Sequence, residues 1–69
     1  MDLDTVIDNL KHTINNKKVY HSALVEQLNN PYIHAATKMA LSATVEFLCI
    51  NISELERILA DVQTVKSAA

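Results

Sequence analysis

The sequence contains no glycine, no tryptophan, and only one proline and one cysteine in its 69 residues. Glycine and proline are the residues that most often form turns, so their scarcity predicts few turns and long regular elements. The single cysteine, Cys49, cannot form a disulfide bond within the chain, and no zinc-like cluster of cysteine and histidine is present. Small domains usually need such a support, which leaves self-association as the expected source of stability.

The sequence also lacks a strong excess of charge and a long apolar run. Its formal net charge of -2 is too small to direct the protein strongly toward nucleic acid or toward cationic partners. The longest uninterrupted apolar run is Phe47-Leu48-Cys49-Ile50, whereas a membrane-spanning helix needs about 20 predominantly apolar residues. No export signal opens the chain. We therefore expect a cytoplasmic protein that does not enter the membrane.

What the sequence does contain is a helical pattern of apolar residues in its first segment. Leucine and isoleucine recur at heptad spacing, and Lys17 and His21 are the two polar exceptions on the same stripe. Asp2 or Asp4 is suited to cap the start of this helix. The pattern predicts a helix over about residues 3–29, whose apolar stripe consists of Leu3, Ile7, Leu10, Ile14, Leu24 and Leu28.

A turn is predicted at Asn29-Asn30-Pro31. Proline disfavours helical geometry at the residue before it and is suited to the first position of a new helix. Asn30 is then the expected N-cap of the second helix, and Asn29 is expected to take the left-handed conformation. Because the connection is short, the two helices should be antiparallel neighbours.

The second predicted helix covers about residues 31–66 and carries two apolar lines. A capping-box pattern from Ser53 to Glu56 leaves open a break in this helix near Asn51. The two lines together form a face wider than one neighbouring helix can cover, so the helix needs two partners. The first line is Leu41, Val45, Leu48, Ile52, Leu55, Leu59 and Val62, and the second is Ile33, Ala36, Ala40, Thr44, Phe47, Asn51, Ile58 and Val65.

The two predicted helices have unequal lengths of roughly 39 and 52 Å at 1.5 Å per residue. A reversal at Asn29 would leave everything after Arg57 projecting past the start of the first helix. We therefore predict an all-α antiparallel helical hairpin that forms one domain and assembles into a homo-oligomer, favouring a four-helix-bundle dimer with coiled-coil packing. The alternative is a different protein that places a helix in the same groove. The predicted interface is Leu41, Val45, Phe47, Leu48, Ile52, Leu55, Ile58, Leu59, Val62 and Val65.

A second candidate site is the basic part of the first helix. It could contact the phosphates of RNA or DNA, although a solvated helix face explains the same residues. The lysine and histidine on the apolar stripe could instead set the register of an oligomer if they are buried. The residues concerned are Lys11, Lys17, Lys18 and His21.

No motif for catalysis, for a metal or for a cofactor was found. Ser42, Thr44 and Cys49 have no activating base within a helical turn, and Cys49 is expected to be a buried small apolar residue. The sequence therefore predicts a protein that is not an enzyme, requires no cofactor, and acts through contacts with other proteins.

The chain resembles two known kinds of protein. The heptads and the short turn resemble the Rop-type helical hairpin, a family that dimerises into a four-helix bundle and binds RNA. The RNA-binding residues of that family cannot be placed one by one in this sequence, so the resemblance does not extend to RNA binding. Asn30-Pro31-Tyr32, Val45-Glu46-Phe47-Leu48 and the segment from Ile52 to Asp61 are similar to small accessory proteins from the early regions of tailed bacteriophages. This second resemblance implies a regulatory role in the host cytoplasm through protein contacts.

Overall fold

Two α-helices make up almost all of the structure. The computed structural model describes residues 2–68, in which α1 comprises Leu3–Leu28 and α2 comprises Ala35–Ala68. The helices have 26 and 34 residues and lie side by side in a molecule of 53 × 16 × 15 Å. Residues 29–34 connect them, and no strand occurs between residues 2 and 68. The predicted all-α helical hairpin is therefore confirmed.

Helix α1 begins at the capping residue that the sequence indicates. The carboxylate of Asp2 accepts a hydrogen bond from the backbone amide of Asp4 at 3.2 Å. The first amides of a helix have no partner inside it, so such a cap stabilises the helix by about 0.5–2 kcal/mol. The buried residues of α1 are Ile7, Ile14 and Leu24.

The connection between the helices differs from the predicted one. The Oδ1 atom of Asn30 accepts a hydrogen bond from the backbone amide of Tyr32 at 3.0 Å, closing a local turn around Pro31. Because the side chain of Asn30 is used in this turn, it does not cap α2. Asn29 has φ -78° and ψ -4°, which is right-handed helical geometry. The predicted N-cap at Asn30 and the predicted left-handed conformation of Asn29 are therefore both wrong.

Helix α2 starts at Ala35, later than the predicted start at Pro31. Pro31 and Tyr32 belong to the turn, and the first hydrogen bond of the helix runs from the amide of Lys38 to the carbonyl of His34 at 2.8 Å. Proline is compatible both with a turn and with a first helical position, and the local hydrogen bond of the turn decides between them here.

Helix α2 is continuous through the segment where a break was considered. Residues 35–68 are helical without interruption, including Asn51 and Ser53. Leu48 and Ile52 are both buried, and Leu55 after them is half-buried. A break near Asn51 would turn these residues out of their common face, so packing against α1 favours the unbroken helix.

Two ion pairs between exposed side chains show how the antiparallel helices are aligned. Lys18 Nζ lies 3.3 Å from Glu56 Oε2, and the ammonium of Lys66 donates a hydrogen bond to Asp4. The start of α1 thus lies beside the last turns of α2. The prediction that everything after Arg57 projects past α1 is wrong, because the longer connection and the later start of α2 shift the two helices relative to each other.

The unmatched part of α2 lies at the turn end of the hairpin instead. Counting from the two ion pairs at equal rise per residue places Leu28, the last residue of α1, opposite the region of Thr44. The turns of α2 before Thr44 consequently have no part of α1 beside them. Their residues 35–40 are all exposed, and Leu41 is only half-buried.

Candidate interaction surface

The predicted interface residues fall into two groups in the structure. One group packs in the seam between the helices, with Leu48 and Ile52 buried and the others half-buried. Phe47, Ile58 and Val65 form the second group and are 65%, 46% and 59% exposed. This second group is the more exposed of the two and leaves most of its surface free to contact another molecule. The seam group consists of Val45, Leu48, Ile52, Leu55, Leu59 and Val62, and Leu41 is half-buried at a position of α2 beyond the end of α1.

The exposed group belongs to a longer line on α2, which we call the flank stripe. Its members are mostly three or four positions apart, which places them on one side of the helix from its first turns to its last. Two gaps of seven positions interrupt this spacing, and the exposed carboxylates of Glu54 and Asp61 lie in them. The flank stripe consists of Ala36, Ala40, Thr44, Phe47, Asn51, Ile58 and Val65.

The polar members of the flank stripe differ in their hydrogen bonding. Thr44 Oγ1 donates to the carbonyl of Ala40 at 3.0 Å, so its hydroxyl is satisfied within the helix. Asn51 is half-buried, and its Oδ1 atom is buried without a hydrogen-bond partner in residues 2–68. A buried polar atom without a partner costs about 1–3 kcal/mol. Because this oxygen is buried within the single hairpin, a donor from another molecule reaches it only if the amide group turns outward.

The flank stripe lies on the side of the hairpin opposite one of the ion pairs. Phe47 and Glu56 are nine positions apart, which is two and a half turns at about 3.6 residues per turn, so they point to opposite sides of α2. On α1, the half-exposed Tyr20 lies about 200° around the helix from Lys18 and therefore on the side of Phe47. The hairpin thus has one side with the ion pair of Lys18 and Glu56, and another side, which we call the apolar side, with Phe47 and Tyr20.

The basic residues of α1 are not gathered into one patch. Lys11 and Lys18 are exposed, whereas Lys17 and His21 are half-buried at the edges of the seam. Lys18 is paired with Glu56, and this carboxylate lies in the same shallow depression as Lys11. The positive potential expected for a phosphate-binding surface is therefore partly neutralised.

The possible nucleophile Cys49 and the possible metal ligands were also located in the structure. Cys49 is exposed, contrary to the expected burial, because it follows Leu48 and points away from the seam. Within the described residues 2–68, no three side chains of histidine, cysteine, aspartate or glutamate come together in a way that could hold a metal ion.

The turn end of the hairpin holds apolar residues that the sequence did not single out. Tyr32 and Met39 are 91% and 74% exposed. In the predicted alignment, in which the second helix starts at Pro31 and projects after Arg57, both residues would lie beside α1. Their position beyond the end of α1 follows only from the alignment seen in the structure. The exposed turns of α2 extend the apolar surface toward this end.

Helix α2 also meets a composition criterion for membrane spans. It is long enough, and an 18-residue window within it has a mean hydropathy of 1.2. Core helices of many proteins pass the same test, so the criterion is a weak indication of a membrane segment. Only 11% of that window is buried within the hairpin. The helix therefore keeps a considerable apolar surface that α1 does not cover.

Comparisons of the chain with protein-family models, with curated proteins and with solved structures found no match.

Proposed function

We propose that this protein is a non-enzymatic helical hairpin that works as a homodimer and acts through protein contacts. The observation that carries the proposal is the uncovered flank stripe on α2, with Phe47 exposed at its middle. Exposing a large apolar side chain instead of burying it costs roughly 1.5–3 kcal/mol, so a row of such residues favours association. Stacking two hairpins on this side gives a four-helix arrangement in which the flank stripe becomes interior.

The accessible surface area of the hairpin supports association with a second copy. A compact monomer of 7.7 kDa is expected to expose roughly 4,300 Å², whereas the hairpin exposes 5216 Å². The excess of about 900 Å² is close to the roughly 800 Å² that each partner buries in a stable protein interface. A second copy that covers the flank stripe would therefore bring the chain to the surface area of an ordinary folded protein.

The regulatory part of the proposal comes from the similarity to small phage accessory proteins. A chain of this kind would act in the host cytoplasm by binding a phage or host protein, and the surface left free in the dimer would be its contact area. The alternative, a hairpin that binds nucleic acid through α1, is less well supported because Glu56 partly neutralises the basic residues there.

The proposal is tested by measuring molar mass with size-exclusion chromatography and light scattering over a range of protein concentrations. The wild type should have the mass of a dimer. Phe47→Glu places a charge in both halves of the interface and should weaken dimerisation at least about 100-fold, which corresponds to about 2.7 kcal/mol. Val19→Glu is the matched control, because Val19 is 63% exposed but lies on the outer side of α1.

Three results would contradict the proposal. The first is a wild-type chain that remains monomeric at high concentration. The second is a dimer that is weakened equally by Phe47→Glu and Val19→Glu, since the flank stripe would then have no special role. The third is a monomer that floats with phospholipid vesicles or shifts a nucleic-acid band, which would assign the apolar side to a membrane or the function to α1.

A further inference from the structure

We propose that the second copy docks with its α2 antiparallel to the first α2, across a twofold axis that passes beside Asn51. This inference rests on the proposed function, because it specifies the geometry of the same dimer. It predicts that Asn51 of each copy faces Asn51 of the other, and that each end of one flank stripe faces the opposite end of its partner.

The distribution of side-chain sizes along the flank stripe supports an antiparallel pairing. The stripe begins with the small residues Ala36 and Ala40, has its largest residue, Phe47, next to Asn51, and ends with Ile58 and Val65. An antiparallel partner places the end of one stripe with Ile58 and Val65 beside the small first turns of the other, and alternation of large and small residues allows helices to interdigitate. A parallel partner would place large against large at one end and leave a gap at the other.

The position of Asn51 supports an axis at this point of the helix. Asn51 is the member of the flank stripe nearest the midpoint between Ala36 and Val65. An axis there places Ile58 opposite Thr44, since both are seven positions from Asn51. It also places Phe47 opposite Leu55, since both are four positions away. Ile58 and Phe47, two of the large exposed residues of the flank stripe, then each lie at the level of a half-buried residue of the partner helix.

The unpartnered oxygen of Asn51 supports the same axis. Its Oδ1 atom is buried and accepts no hydrogen bond from the described residues. An asparagine side chain has both an acceptor and two donors, so two copies related by a twofold axis satisfy each other reciprocally once both amide groups turn out of their hairpins. A single asparagine in an apolar helix seam is a known means of fixing register and oligomer state at some cost in stability.

The overhang at the turn end supports the same docking geometry. The turns of α2 before Thr44 have no part of α1 beside them, and residues 35–40 are exposed. In the antiparallel arrangement these turns lie next to the last turns of the partner's α2. Each copy therefore covers the turns of the other copy's α2 that no α1 helix covers. The two overhangs lie at opposite ends of the dimer.

The inference is tested by disulfide trapping in a Cys49→Ser background, which removes the exposed native thiol. A disulfide needs Cα atoms about 4.4–6.8 Å apart, so it reports which positions face each other. Asn51→Cys should form a disulfide with itself. Thr44→Cys and Ile58→Cys should each form little disulfide alone, but an equimolar mixture should give the mixed disulfide at least about tenfold more abundantly. The mixture retains Asn51, so it also tests the geometry without altering the proposed axis.

Light scattering before oxidation shows whether each variant is a dimer, and circular dichroism shows whether it is folded. The two measurements separate a wrong docking geometry from a failure to dimerise or to fold. Self-disulfides at all three positions would show parallel helices and overturn the inference. A dimer that gives no disulfide at Asn51→Cys and no mixed disulfide would also overturn it, while leaving the proposed dimer intact. A monomer in solution would instead show that the proposed function itself has failed.

Discussion

The seam between the helices makes a prediction about which residues hold the hairpin together. Leu48 is 5% exposed and packs in the seam, whereas Ile50, two positions along the same helix, is 62% exposed. The two residues have almost the same local environment in the backbone of α2 but opposite burial. Replacing each by alanine therefore separates the effect of packing from the effect on helix propensity.

The expected loss for Leu48→Ala is large relative to the stability of so small a chain. Removing a buried leucine side chain costs about 2–5 kcal/mol, through lost burial and the cavity that remains. A domain of 69 residues has a total stability of roughly 3–10 kcal/mol. Leu48→Ala should therefore remove a large fraction of the stability, whereas Ile50→Ala should change it by no more than about 0.5 kcal/mol.

The measurement is urea unfolding followed by circular dichroism at 222 nm. All variants are compared at one protein concentration, because the proposed dimerisation would make the apparent stability depend on concentration. With a urea dependence near 1 kcal/mol per molar, the midpoint for Leu48→Ala should fall by about 2 M or more. Equal shifts for the two variants would refute the assignment of Leu48 to the seam and, with it, the packing of α2 on α1.

Two further predictions concern the start of α2 and the ion pair near the chain ends. Ala35→Pro should leave the stability nearly unchanged, because the first helical position needs no amide hydrogen bond, whereas Ser53→Pro should cost about 3 kcal/mol or more. Asp4 accepts a hydrogen bond from Lys66 and raises the pKa of this ammonium above its ordinary value of 10.5. Lys66→Gln should therefore be less stable than the wild type at neutral pH, and the difference should disappear as the pH rises through the raised pKa.

Both predictions have outcomes that would contradict the structure. A strong loss of stability for Ala35→Pro would restore the predicted helix start at Pro31, in which residue 35 is interior. For the ion pair, urea unfolding is compared between pH 8 and pH 12, with Lys38→Gln as the control, since Lys38 forms no ion pair with residues 2–68. A difference from the wild type that is independent of pH, or equal in the two variants, would argue against the pairing with Asp4.

The sequence was sufficient to predict the elements of the fold but not their alignment. Heptad spacing identifies the seam residues because burial depends on the side of a helix that a residue occupies, and Leu48 and Ile52 are buried accordingly. The same spacing repeats every seven residues, so it does not determine how far one helix is displaced along the other. The displacement depends on the hydrogen bond from Tyr32 to Asn30 and on the later start of α2.

The apolar residues of the candidate surface could be predicted from their spacing along α2, but their surroundings could not. The second apolar line of α2 could be read from the sequence, and Phe47, Ile58 and Val65 on it are exposed in the structure. The orphan oxygen of Asn51 could not be read from the sequence, because it depends on which side chains surround that position.

The displacement of the helices alters the kind of partner that would cover the apolar surface of the hairpin. With an overhang after Arg57, the uncovered residues would form a short patch at one end, which an end-to-end contact could cover. In the observed alignment Leu59 and Val62 are half-buried, and the uncovered apolar surface runs along α2 from Ala36 to Val65. A surface of that length is covered only by an element that lies alongside it, such as another long helix. The hairpin itself contains such a helix in α2, which is why a side-by-side pair of copies satisfies the surface better than an end-to-end chain.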